Sequence, residues 1–237
     1  MAEKLKSISK RIHWYLLLKA AAFALAWLWF PWWLFAVVAL VIYFTPFFQP
    51  ERFAFPFFVL LILSYVQAPG WFFAVIFGLM FYFLLLIKEL LLVERRSAYE
   101  LLVFLLSFLL LRDFYLRFNQ GVAGTAPLFA LLVAALVALL LRNYIRAFEG
   151  GEERHPGLRR VSVGFSFLLF WQILMIGLFL PVDFIYQTAI VFLPIVLVVD
   201  LLPERLAGSL DRTKILTSAT VIFALLVIVI TSARWTL

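Results

Sequence analysis

The 237-residue chain contains no cysteine. Disulfides, cysteine-bound zinc and iron–sulfur clusters are therefore excluded. Histidine is almost as scarce: His13 and His155 are the only two, and neither stands in an HExxH or other metal-ligand spacing. No metal or other cofactor is expected. Charge is sparse as well, with Asp, Glu, Lys and Arg making up 14% of residues. The sequence has no GxSG nucleophile and no aspartate-rich motif for magnesium-bound diphosphate. It also lacks the Glu pair with spaced Arg and His that intramembrane proteolysis would need. Catalytic residues are left unassigned. The run Glu152-Glu153-Arg154-His155 sits in a Gly-rich stretch and reads as a charged tether.

What the chain has in abundance is apolar surface. Hydrophobic residues make up 66% of it and mean hydropathy is +1.10, far beyond the roughly half-apolar content of a soluble domain. Lipid must solvate most of that surface. The net charge of +7 and pI near 9.9 would suggest nucleic acid in a soluble protein, but here the basic residues stand in short segments between apolar runs. They are the signature of membrane orientation, and no nucleic-acid partner is expected.

Apolar runs that are too long for one crossing are divided where the backbone is broken. A helix needs about 20 residues to cross a hydrocarbon core of about 30 Å. The run from Ala20 to Pro50 is broken at Pro31, and the run from Phe53 to Ile87 at Pro69-Gly70. The expected spans are 13–30, 32–48, 53–68, 71–92, one beginning near Ser97, 125–144, 161–180, 184–202 and 215–233. The predicted fold is all-α, a bundle of about nine spans forming a single membrane domain over 1–237, with no soluble domain. Segment 1–12 reads as a basic amphipathic surface helix drawn to anionic headgroups at the inner face. Segments 147–160 and 203–214 read as cytoplasmic loops. Ala24-Leu25-Ala26 after a basic start raises a cleaved signal peptide, but the Trp-rich continuation argues for retention. A faint echo between LLLVERR (90–96) and VDLLPERL (199–206) is too short to establish a repeat.

This arrangement places seventeen of the twenty Lys and Arg on one side and leaves Arg112, Arg117 and Arg234 on the other. The positive-inside rule then sets the N-terminus in the cytoplasm and the C-terminus outside, in what is expected to be a prokaryotic inner membrane. Trp27, Trp29, Trp32, Trp33, Trp71 and Trp235 are expected at the outer interface, Trp14 at the inner one and Trp171 in mid-span. Ala126, Ala130, Ala134 and Ala138 form a four-residue ladder that suits close helix packing.

Ionisable groups at membrane depth are the strongest pointers to function. Lys19, Lys88, Glu89 and Asp200 fall near the inner ends of their spans, where long side chains reach back to headgroups. The fifth span is different, because Arg112 follows Arg96 by only sixteen positions, about 24 Å of helix. Arg112 and Asp113 then lie within the outer apolar depth, and a continuing helix would pair Asp113 with Arg117 at i, i+4. Asn119 and Gln120 extend that face, and Gln67, Gln172, Asp183 and Gln187 are polar residues that could join it. A planar guanidinium suits phosphate or carboxylate, so the expectation is an outward cleft binding an anionic lipid or lipid-linked intermediate. The competing expectation is a structural or assembly subunit that meets other membrane subunits and has no ligand of its own. A solute transporter stands third, since no charge falls at mid-membrane.

Overall fold

The computed structural model describes residues 14–45, 50–89, 95–119, 125–148, 156–233 and 235. Nine helices occupy them: α1 (Trp14–Trp29), α2 (Trp32–Phe44), α3 (Pro50–Val66), α4 (Trp71–Glu89), α5 (Arg95–Asn119), α6 (Ala126–Phe148), α7 (Pro156–Leu178), α8 (Phe184–Ala207) and α9 (Arg212–Ser232). The protein is all-α. Five helices (α4, α6, α7, α8 and α9) are long and apolar enough to cross a membrane, and α1, α2 and α3 are shorter apolar helices. These features are those of a multi-pass membrane protein. At 25 residues α5 has the length, but Glu100, Arg112, Asp113 and Arg117 interrupt its apolar run and it is not among the five.

The helix breaks follow backbone chemistry. Pro31 stands in extended conformation before α2, and residues 67–70 separate α3 from α4 around Pro69-Gly70. The segment 203–214 is largely helical rather than a loop, because α8 runs through Pro203 to Ala207. A proline within an apolar helix is tolerated where neighbouring groups take up the freed carbonyl. The helix ends where Gly208 adopts a left-handed φ of 71°, and the N–H groups of Gly208 and Ser209 bond to the carbonyls of Arg205 and Glu204 at 3.2 and 3.1 Å. This closure satisfies carbonyls that would otherwise lack donors. Segment 147–160 is also helical at both described ends, in α6 and α7; residues 149–155 lie outside the described residues, as does the basic segment 1–12.

The chain divides into two compact units, residues 1–102 and 103–237. In the first, α1 packs on α4 and on α2, and α3 packs on α4. Small residues bring α1 and α4 together: a β-carbon on Gly78 would lie 3.1 Å from Ala24 Cβ. Aromatic rings fill the core, with Phe23 stacked on Phe81 at 4.1 Å and Tyr43 on Phe57 at 4.2 Å. Trp27 does not belong to an interfacial belt. It is 4% exposed, and its indole N–H donates to the Ser64 carbonyl at 2.9 Å. The other five outer tryptophans are exposed. Lys19 and Lys88, 8% and 4% exposed, do not reach out to headgroups. Lys19 donates to the Thr45 carbonyl at 2.6 Å and Lys88 to that of Tyr43. Both carbonyls lie at the C-terminal end of α2, where no further turn supplies N–H donors and the helix dipole favours cations.

In the second unit α7 packs on α6 and α8, and α9 on α8. Ala126, Ala130, Ala134 and Ala138 are 5%, 0%, 0% and 4% exposed, so the whole ladder is consumed inside the protein. Phe104 and Phe108 of α5 meet Phe192 of α8. α9 buries no residue. It is joined to α8 by Lys214, which pairs with Glu204 and, at 3.4 Å, with Asp200. Asp200 also accepts from the Ser218 hydroxyl at 2.8 Å.

Candidate functional site

The α5 helix continues past its charged residues to Asn119, and this continuation creates the Asp113–Arg117 pair at 3.0 Å. The pair is a partly exposed link along one helix, with Arg117 at 48% and Asp113 at 18% side-chain exposure. Asn119 is exposed at the helix end. Gln120 lies outside the described residues. Gln67 belongs to the first unit, in the bend that follows α3.

Arg112 and Gln187 lie closer to the interior. The Arg112 guanidinium carbon stands 6.0 Å from the ring centroid of Phe184, in the first turn of α8, a spacing at which a cation is attracted to the ring face. Gln187 follows Phe184 by one turn on the same side of α8. It is 3% exposed, and its Nε2 donates to the Leu180 carbonyl at 2.9 Å. A carbonyl can only accept, so this bond fixes the amide orientation and turns Oε1 the other way. Oε1 is buried and has no hydrogen-bond partner among the described residues. Buried polar atoms are nearly always satisfied by protein, water or ligand.

Asp183 precedes these residues as the cap of α8. It is exposed, and its carboxylate accepts from the Phe184 N–H at 2.8 Å, as a helix start with free donors requires. One turn beyond Arg112, Tyr115 is fully buried and donates to the Leu174 carbonyl at 3.0 Å. Gly177 makes room for it, since a β-carbon there would run into the Tyr115 hydroxyl and lie 2.6 Å from Val191 Cγ2. Helices α5, α7 and α8 are thus locked around Tyr115. Helical spacing alone sets Tyr115 on one stripe with Arg112 and Asn119, but sequence reasoning missed Gly177, because a glycine in an apolar helix carries no spacing signal of its own.

Gln172 does not join this group. It is exposed on α7, on the side opposite the buried Phe170 and Leu174. Among the described residues no three His, Asp or Glu side chains gather as a metal site. No protein-family profile, curated protein or solved structure matches the chain.

Proposed function

We propose that the protein binds an anionic lipid or lipid-linked intermediate at the outer end of its second unit, with Arg112 as the anion contact. The observation that carries this reading is that Arg112 stands beside Phe184, one turn before Gln187, whose buried Oε1 has no hydrogen-bond partner among the described residues. A guanidinium offers a planar fork of donors that matches phosphate, and Gln187 Oε1 can accept from a headgroup donor or from a water held beside it. Asp183 occupies one free N–H at the start of α8, and the anion contact is assigned to Arg112. The proposed setting is a prokaryotic inner membrane crossed nine times, with the N-terminus inside. The seventeen-to-three basic asymmetry supports it. Reporter fusions at the two termini should report opposite compartments, and the same compartment for both would remove this topology.

Mass spectrometry of lipids retained after gentle purification tests the ligand. The parent should retain a specific anionic species. Arg112→Gln should lose it while keeping the fold, and Arg112→Lys should bind worse, because an ammonium cannot reproduce the fork. Equal anionic lipid in the parent and both variants would overturn the proposal. A second reading, an assembly subunit without its own ligand, draws support from α9, which packs on α8 and buries nothing. The alanine ladder does not favour it, because those residues are already covered.

A further inference from the structure

The outward side of α7 carries a pattern that its packing inside the unit does not use. Val161, Phe165, Leu168, Gln172, Ile176 and Phe179 follow one another at intervals of four, three, four, four and three residues. At 100° per residue they form one stripe less than a quarter-turn wide. Every one is exposed, the five apolar residues at 72%, 65%, 51%, 64% and 81%. The residues that α7 buries, among them Ser166, Phe170, Leu174 and Gly177, occupy the other side. Large apolar residues facing lipid are ordinary. A glutamine among them, within the apolar helix Gly157–Leu178, is not.

A primary amide has two donors and two acceptor positions. Hydrocarbon satisfies none of them, and a side chain this short cannot carry its amide from Gln172 to the outer interface. Amides in apolar helices are therefore met by another helix. We infer that α7 is the contact helix of a homodimer, with the two copies of Gln172 hydrogen-bonded to each other across a two-fold axis along the membrane normal. The occupant is a second copy because the amide is self-complementary: in a symmetric pair each carboxamide donates to and accepts from its twin, so one residue type satisfies both sides. Insertion of both copies in one orientation makes their α7 helices parallel, which puts residue 172 opposite residue 172. From Val161 to Gln172 the stripe keeps the alternating four- and three-residue spacing of a coiled-coil seam, where one polar residue among apolar ones fixes register and number of strands. The dimer does not depend on lipid binding at Arg112.

The absence of native cysteine makes the test direct. Leu168→Cys or Ile176→Cys places a single thiol on the stripe one turn from Gln172, and Phe223→Cys places one on exposed α9 as a collision control. Mild oxidation of the full-length protein in native membranes should give a covalent dimer from at least one stripe variant, at several times the control yield. Gln172→Leu in the same background should reduce that yield to the control level, and Gln172→Asn should restore part of it. Stripe yields no higher than the Phe223→Cys control, or a yield unchanged by Gln172→Leu, would overturn the proposal. A cross-link to a different protein in place of the dimer would overturn it equally, by assigning the face to another partner.

Discussion

Gly177→Ala tests the packing around Tyr115. The added methyl would meet the Tyr115 hydroxyl, and it would lie 2.6 Å from Val191 Cγ2 and 2.9 Å from Tyr115 Cζ. All three are too close for carbon, and two helices press on the point at once. Overpacking of this kind costs about 1–3 kcal/mol. Displacing the ring also breaks the hydroxyl bond to Leu174, a further loss of about 1 kcal/mol. Alanine recovers roughly 0.8–1 kcal/mol of helix propensity over glycine. The balance is a destabilisation of roughly 1–3 kcal/mol. The sharper test is a cycle with Tyr115→Phe, which removes the atom nearest the new methyl. Tyr115→Phe alone should cost about 1 kcal/mol. In that background Gly177→Ala should cost less than it does alone, with a coupling of about 1 kcal/mol or more, as expected for residues in contact. Val191 and the ring carbon still crowd the site, so relief should be incomplete. Reversible unfolding in mixed detergent micelles measures all four proteins. Additive costs, or a stable Gly177→Ala variant, would refute this account of how α5, α7 and α8 meet.

Ala134→Leu should destabilise the second unit by roughly 1–3 kcal/mol in the same assay, because Ala134 is wholly buried on α6; parent-like unfolding would mean that the ladder has room to spare. Trp27→Phe removes the indole bond to the Ser64 carbonyl and should cost about 1 kcal/mol, with increased hydrogen exchange at the end of α3 as its local sign. Lys214→Met should loosen α9 from α8, seen as faster proteolysis or exchange over 212–218. The change in global stability should be at most about 1 kcal/mol, since Lys214 is 40% exposed. Unchanged exchange at α9 would show that packing alone holds it.

The helices were legible where a single residue decides the backbone. Pro31 and Pro69-Gly70 divide runs of apolar residues that composition alone would leave continuous. The segment 203–214 misled for the complementary reason: Pro203 removes one donor, yet α8 runs through it to Ala207. The i, i+4 pairing of Asp113 and Arg117 follows from helix geometry once α5 is seen to continue. Burial of Trp27, Lys19 and Lys88 could not be read, since an indole or ammonium one turn from a helix end looks the same whether it meets water or a neighbour's carbonyl. For the same reason the sequence grouped Gln172 and Gln187, two glutamines in apolar helices. Only the packing of α7 and α8 separates them, one facing out and the other closed in.

The two lysines of the first unit bear on how that unit meets its solvent. With 13 residues, α2 is about 20 Å long, some 10 Å less than a typical hydrocarbon core. Its final carbonyls can therefore end below the surface, and Lys19 and Lys88 bring ammonium groups to them from α1 and α4. Polarity is delivered to the helix end rather than the helix end to water. Mismatch between helix and bilayer costs fractions of a kcal/mol per ångström, and were α2 to cross a bilayer it would fall on two flexible four-carbon stems instead of on the backbone. The first unit should accordingly tolerate lipids of varied acyl length, and Lys19→Met or Lys88→Met should restrict it to thinner bilayers.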